Sequence, residues 1–134
     1  MDRANSALAA HLVESGHRVH LVTHDVDPAW LADPDRLEQA GHWNREYFEA
    51  ARAWNANIVR IPVHPGRWRA RGADAYLNLL DAGIAWAGEL GMYVIIDWHS
   101  IGSLQAERFT RDSYVTTRAE TRHFWETIAR RYAD

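Results

Sequence analysis

The 134-residue sequence contains no cysteine, which excludes disulfide bonds and thiolate metal ligands. It also lacks an apolar run long enough to cross a bilayer, and its first residues lack the apolar segment of a signal peptide. We therefore expect no membrane partner and, for the chain as written, a cytoplasmic location, although the parent of such a chain is compatible with secretion.

A large excess of charge of one sign is absent too, since the formal net charge is only -3. This balance gives no reason to expect a nucleic-acid partner. Arg67, Arg69 and Arg71 surround Trp68, and we interpret them as part of a solvated loop. The eight histidines are scattered rather than spaced along one helix face, so we predict no metal site and no cofactor.

The sequence does contain an alternation of amphipathic helices and short apolar strands. Strands are predicted over 18–23, over 57–63 and in the run that follows Gly91, which reads as a strand buried on both faces. Helices are predicted over 5–15, over 45–55 with Asn44 as its cap, over 74–90 with Asp74 as its cap, and after Thr117, which forms a capping box with Glu120. Alternation of this kind predicts an α/β fold with a parallel sheet.

The remaining segments are predicted to be loops, apart from one helical turn over 34–39. The loops cover 64–73 and 100–116. The side chains expected to face the core are Tyr47, Phe48, Ala51 and Trp54 on one helix, Tyr76, Leu80, Gly83, Ala87 and Leu90 on the next, and Phe124, Trp125, Ile128 and Tyr132 on the last.

Polar residues at two strand ends mark the candidate site. Because side chains alternate along a strand, Asp97 and His99 share a face of one strand, and Arg60 and His64 share a face of the other. Arg60 interrupts an apolar run, so its guanidinium needs a carboxylate or a ligand as partner. An internal ion pair with Asp97 is the structural alternative to ligand binding.

Three segments carry a resemblance to a known family. The segments 42–65, 91–99 and 124–132 resemble the first helix and second strand, the third strand and the third helix of glycoside hydrolase family 5. The resemblance implies a partial (β/α)8 TIM barrel of about three parallel strands with flanking helices. A whole barrel of this kind needs roughly 250 residues.

The resemblance also implies a function. Members of the family are retaining glycosidases that cut β-linked glucans or mannans with two glutamates. Arg60 matches the arginine that hydrogen-bonds the nucleophile, and His99 matches a histidine of the subsite where the sugar is cleaved. Asp97 and Trp98 match the strand-end motif without a catalytic role. His64 and Trp68 are further candidates for binding a β-linked oligo- or polysaccharide, although Trp68 fits packing against a helix equally well.

The sequence departs from the family pattern at the catalytic residues. No Asn-Glu pair occurs in it, and we interpret Glu107, Glu120 and Glu126 as solvated charges. We therefore predict no catalytic residue in this chain, which we expect to be an inactive fragment of a hydrolase. The alternative is a non-catalytic carbohydrate-binding or assembly module. An open barrel face would also favour self-association.

The first third of the chain resembles a different family. Residues 4–37 are similar to the Rossmann-like start of the acceptor domain in family 4 glycosyltransferases. We accordingly divide the chain into a segment 1–41 and a barrel segment 42–134. Segment 1–41 is either Rossmann-like or a divergent barrel start, and a glycosyltransferase-type fragment is the third functional alternative.

Overall fold

The structure, a computed structural model, describes residues 33–133. The helix predicted over 5–15 and the strand over 18–23 lie outside these residues. The division of the chain at residue 41 stays a prediction. In chain order the elements are α1 (Pro34–Gln39), α2 (Arg45–Ala53), β1 (Ile58–Val63), α3 (Pro65–Arg71), α4 (Ala73–Glu89), β2 (Tyr93–Trp98), β3 (Gly102–Ser103), β4 (Arg108–Phe109), a 3₁₀ turn (Asp112–Tyr114) and α5 (Arg118–Tyr132).

Helix α2 begins where the sequence predicts, because the Asn44 side chain accepts a hydrogen bond from the Tyr47 backbone N–H at 3.1 Å. Its predicted apolar face is only partly correct. Phe48 is buried edge-on against Trp43, whereas Tyr47 and Trp54 are exposed. Successive helical residues point about 100° apart, so a helix that turns Phe48 to the core turns Tyr47 away from it.

Helix α4 supplies much of the core. Tyr76, Leu80, Gly83 and Ala87 are buried along one face, as predicted. Asp74 does not cap the helix, because Gly72 holds the cap position with φ of 85°, and Asp74 lies in the first turn instead. A carboxylate there still interacts favourably with the helix dipole.

The predicted loop 64–73 is wrong, since most of it forms α3. Pro65 occupies the first turn, where its missing N–H costs nothing, and Trp68 anchors the helix in the core. The three arginines are not simply solvated. Arg71 and, at a longer distance, Arg67 pair with Asp35, and Arg69 pairs with Glu120. Interpreting Glu120 as a solvated charge is therefore wrong as well.

The segment 100–116 contains the β3–β4 hairpin and the 3₁₀ turn rather than irregular loop alone. After it, Thr117 accepts a hydrogen bond from the Glu120 N–H at 3.1 Å, which confirms Thr117 as the cap of α5. Phe124 and Ile128 point into the core as predicted. Trp125 does not, because burial of Phe124 turns its neighbour outward, and 42% of Trp125 is exposed.

The two long strands form a parallel pair in which Ile58 lies opposite Tyr93 and Val63 opposite Trp98. One face of the pair, here called the helix-side face, packs against the helices through Val59, Ile61, Val63, Val94, Ile96 and Trp98. The other, here called the open face, carries Ile58, Arg60, Pro62, Tyr93, Ile95 and Asp97. Burial of β2 on both faces was a wrong prediction for the described residues, since Tyr93 is 64% exposed. The fold class, a partial barrel with a parallel sheet and flanking helices, is confirmed.

Candidate functional site at the strand ends

Three polar side chains meet on the open face near the carboxyl ends of β1 and β2. The Arg60 guanidinium donates to Asp97 Oδ2 at 2.5 Å, and His99 Nδ1 lies 2.7 Å from the same oxygen. The predicted Arg60–Asp97 ion pair is therefore present, although Arg60 is 40% exposed rather than buried. Burial would raise the pKa of Asp97, but the His99 hydrogen bond and the Arg60 charge hold it below its usual value.

The geometry assigns the proton on His99. Two groups contact His99 Nδ1. Arg60 Nη2 lies 3.1 Å away and can only donate a hydrogen bond, so it would need an unprotonated Nδ1. The ionised Asp97 can only accept a hydrogen bond, so it needs a protonated Nδ1. The shorter contact, to Asp97, is satisfied when Nδ1 carries the proton. In the neutral ring Nε2 is then a hydrogen-bond acceptor, a suitable partner for a sugar hydroxyl.

His64 and Tyr114 extend this cluster. The His64 ring stacks on His99 with centroids 5.2 Å apart, and Tyr114 meets both rings edge-on at 5.2 and 5.5 Å. Burial, followed by electrostatic repulsion from His99, Arg36 and Arg67, lowers the pKa of His64 to about 4. His64 is therefore neutral at physiological pH.

Asp33 is a member of the cluster that the sequence analysis did not identify. It is 1% exposed, and its Oδ2 accepts a hydrogen bond from the His64 backbone N–H at 3.2 Å and lies 3.5 Å from His64 Nδ1. Its other oxygen caps α1 by accepting from the Asp35 N–H. Burial raises the pKa of Asp33. An Asp-Pro start to a short helix was the available signal, but it indicates a cap and not a contact with a distant histidine.

Tyr114 was also missed, because it lies in the segment predicted as loop. Ser100 donates its hydroxyl to the Tyr114 carbonyl at 2.9 Å, which ties the 3₁₀ turn to the end of β2. Thr116, two residues on, contacts Trp98 Nε1 at 3.3 Å and Glu120 at 2.8 Å. These contacts hold the segment that places the Tyr114 ring edge-on against His64 and His99.

The structure does not bring the two candidate tryptophans to this site. Trp98 points to the helix side and stacks on Phe124 with centroids 4.2 Å apart. Trp68 is 6% exposed between Tyr76, Trp98 and Phe124. Stacking on a sugar requires an exposed ring face, so the structure favours packing over sugar binding for Trp68. Trp98 packs on the helix side of the strand end.

The cluster is equipped for binding more than for proton transfer. Among residues 33–133, no group of three or more histidine, aspartate or glutamate side chains is arranged to hold a metal ion. Asp97 is already engaged by Arg60 and His99, which makes it a poor nucleophile. In the same part of the chain, no helix is both long and apolar enough to cross a membrane. A depression of about 370 Å³ lies on the outside of α5, and none of the strand-end side chains lines it.

Comparisons with known proteins agree on one family. The model of the cellulase family, glycosyl hydrolase family 5, matches residues 23–134, so the match begins upstream of residue 42. The crystal structure of a β-glucanase from Saccharophagus degradans in complex with cellotetraose superimposes with a TM-score of 0.71 and 43% identity, covering 73% of this chain.

Curated relatives are similar at lower identity. Endoglucanase C of Evansella cellulosilytica is 35% identical over 72% of the chain. A probable glucan 1,3-β-glucosidase of Aspergillus terreus is 35% identical over 50% of it. The chain spans 12% and 18% of the length of these two proteins and 30% of the solved β-glucanase.

Proposed function

The chain belongs to glycosyl hydrolase family 5, and we propose that it forms the part of a β-glucanase that holds one sugar of a β-linked glucan at the ends of β1 and β2. The observation that carries this proposal is the Arg60–Asp97–His99 cluster near the carboxyl ends of β1 and β2, because barrel enzymes build their sites at the carboxyl ends of their strands. The similar β-glucanase of known structure contains cellotetraose, which favours a β-linked glucose chain as ligand.

Each polar residue has a separate part in the proposed site. His99 presents Nε2 to a sugar hydroxyl, because its Nδ1–H donates a hydrogen bond to Asp97. Arg60 donates to Asp97 and is 40% exposed, so further N–H groups of the guanidinium remain for a carboxylate or a sugar oxygen. His64 and Tyr114 fix the plane of the His99 ring.

The catalytic residues of this proposal lie outside residues 33–133. A retaining glycosidase needs two carboxyl groups about 5 Å apart, one as acid/base and one as nucleophile. The strand-end cluster contains Asp97 and, behind His64, the buried Asp33, but neither is free on the open face. We propose that two glutamates on further strands face Arg60, which would keep the nucleophile ionised.

Binding of cellotetraose to the 134-residue chain tests the proposal. Titration followed by NMR should show weak, saturable binding that is lost in Arg60→Ala and in His99→Ala. Arg108→Ala, an exposed arginine on β4, is the matched control and should bind as the wild type does. No reducing sugar should be released from β-1,3-, β-1,4- or β-1,6-glucan. Turnover by this chain alone would contradict the assignment of the catalytic pair to other strands.

We also propose that the open face associates with further protein. Tyr93 is 64% exposed, and Ile58 and Ile95 lie beside it on a pair of strands whose outer edges have no partner strand among residues 33–133. Such a surface favours pairing with another chain. Sedimentation should show oligomers of the isolated chain at high concentration. A compact monomer across the accessible concentrations would contradict this proposal and the assembly-module alternative together.

A further inference from the structure

The two stacked histidines of the strand-end cluster each have Nδ1 beside an aspartate. His99 Nδ1 lies 2.7 Å from Asp97 Oδ2, and His64 Nδ1 lies 3.5 Å from Asp33 Oδ2. The planes of the two rings are 22° apart, and their centroids are 5.2 Å apart. The cluster therefore contains two aspartate–histidine pairs side by side, and the proposed function gives a ligand to only one of them.

The parallel register of the sheet brings the two histidines together. Pro62 lies opposite Asp97 on the open face, and a histidine follows each of them two residues later. The backbone is still extended at His64, and the His99 N–H donates to the Val63 carbonyl at 2.9 Å. Because side chains two residues apart share a face of a strand, both rings lie on the side of the open face.

Asp33 determines which nitrogen of the His64 ring carries the proton. Its Oδ1 accepts a hydrogen bond from the Asp35 N–H at 3.0 Å, and its Oδ2 accepts one from the His64 N–H at 3.2 Å, as both oxygens of an ionised carboxylate can. At 3.5 Å the contact with Nδ1 is longer than a good hydrogen bond, but a carboxylate oxygen still favours a proton on the nitrogen that faces it. Nε2 of the neutral ring is then an acceptor.

Nε2 is the part of the His64 ring that remains for a ligand. Within residues 33–133 the ring contacts Asp33 through Nδ1, His99 through one face and Tyr114 edge-on, and none of these contacts is a hydrogen bond to Nε2. The His64 side chain is 12% exposed, whereas that of Asp33 is 1% exposed. A ligand can therefore reach the ring but not the carboxylate behind it.

We propose that His64 accepts a second hydrogen bond from the sugar through Nε2, beside the one accepted by His99, and that Asp33 is the positioning residue that sets the required tautomer. The inference rests on the proposed function, because the sugar is the one held at the ends of β1 and β2. Two acceptors on rings whose centroids are 5.2 Å apart match neighbouring hydroxyl groups along one edge of a glucose unit.

The NMR resonances of the ring nitrogens test the inference, because they report both the tautomer and the hydrogen bonds of each histidine. In the 134-residue chain at neutral pH, His64 should carry its proton on Nδ1. Saturation with cellotetraose should shift the Nε2 resonances of both His64 and His99. His123, which is exposed on the outer side of α5, is the internal control and should not respond.

Asp33→Asn tests the part played by the carboxylate. With the amide oxygen kept as the cap of α1, the amide nitrogen takes the place of Oδ2 and can only donate a hydrogen bond. A donor there favours the proton on His64 Nε2, which then no longer accepts from the sugar. Cellotetraose should bind about fivefold more weakly, with the tautomer of His99 unchanged. A folded Asp33→Asn chain that keeps the wild-type tautomer of His64 would overturn the assignment of Asp33.

Two substitutions of His64 separate its ring from its acceptor. His64→Gln places a carbonyl oxygen near the position of Nε2 and should keep most of the affinity for cellotetraose. His64→Phe keeps an aromatic ring against His99 without a nitrogen, and it should bind about tenfold more weakly, which corresponds to about 1.4 kcal/mol. Urea denaturation identifies the variants that fold.

The outcomes distinguish the inference from the proposed function on which it rests. Wild-type affinity in a folded His64→Phe chain, or a cellotetraose response from His99 without one from His64, would overturn the inference and leave the proposed function standing. Failure of the wild-type chain to bind cellotetraose would remove both.

Discussion

The two faces of the β1–β2 pair each carry six of its twelve residues, and they differ in exposure, polarity and the partners of their side chains. On the helix-side face, Ile61, Val63 and Trp98 are buried against α4 and α5. On the open face, Tyr93 and Arg60 are exposed, and the polar residues bond chiefly to one another. The helix-side face therefore contributes to the hydrophobic core, and the open face holds the polar cluster of the candidate site.

The comparison explains why a charged residue is tolerated in an apolar strand. Arg60 lies between Val59 and Ile61, both of which point to the helix side. A guanidinium there would have to be desolvated at a cost of several kcal/mol. On the open face Arg60 keeps contact with solvent and pairs with Asp97. The strand therefore accommodates a charged residue without removing an apolar side chain from the core.

The largest expected difference between the faces is in stability. Phe124 is fully buried and stacks on Trp98, so Phe124→Ala should lower the free energy of unfolding by about 3–5 kcal/mol. Tyr93→Ala, on the open face, should change it by less than about 1 kcal/mol. Urea denaturation of both variants measures the contrast. Similar losses would mean that the open face is covered in solution.

A second contrast depends on pH, because His64 directly follows β1 and only 12% of its side chain is exposed. Its pKa is about 4 in the folded chain, against 6.5 for the unperturbed ring, so the unfolded chain binds more protons between these values. The stabilisation is complete above pH 6.5 and is lost as the pH falls towards 4. It amounts to on the order of 3 kcal/mol.

The variant His64→Gln isolates this contribution. Asp33, whose pKa is raised by burial, acts in the opposite direction and loses stability as the pH rises through its folded value. Asp33 is present in both proteins, so subtracting the variant's free energy of unfolding from that of the wild type leaves the contribution of the His64 ring together with its coupling to Asp33. The difference should fall between pH 6.5 and 4. A difference that is constant with pH would show that the ring titrates normally.

Two glycines of α4 allow a buried and an exposed position to be compared on a single helix. A Cβ on Gly83 would lie 2.5 Å from the Trp43 ring, so Gly83→Ala should cost about 1–3 kcal/mol. Gly88 has no atom within 4 Å of the same position, and Gly88→Ala should add about 0.5–1 kcal/mol by restricting the unfolded chain. Thermal unfolding of both variants measures this. A gain at Gly83 would mean that Trp43 moves freely.

The sequence predicts those parts of the fold that depend on local patterns. Asn44 and Thr117 are caps in the structure because capping requires only a side chain and a backbone N–H three residues away. The alternation of side chains along each strand likewise set the faces of Arg60 and Asp97. Their pairing across 37 residues also required the prediction that β1 and β2 are neighbours in a parallel sheet.

The remaining features depend on contacts between residues far apart in sequence. Helix α3 was missed because Pro65, Gly66 and Gly72 are residues typical of turns, whereas the helix is held by the burial of Trp68. Asp33 and Tyr114 reach His64 from segments 31 and 50 residues away, a distance that no local pattern spans. The orientation of Trp98 towards Phe124 follows from strand alternation, but the position of Trp98 between Asp97 and His99, two candidate binding residues, obscured it.

Removal of Arg60 should have the smallest effect on stability and a large effect on binding. The Arg60–Asp97 pair is partly exposed, and exposed ion pairs contribute less than about 1 kcal/mol, so Arg60→Ala should unfold close to the wild type. Asp97 keeps its bond to His99, which preserves the ring orientation. Cellotetraose affinity should nevertheless fall, because the guanidinium donors on the open face are gone. A loss of more than about 2 kcal/mol in stability would place Arg60 with the residues of the helix-side face, whose role is to hold the fold.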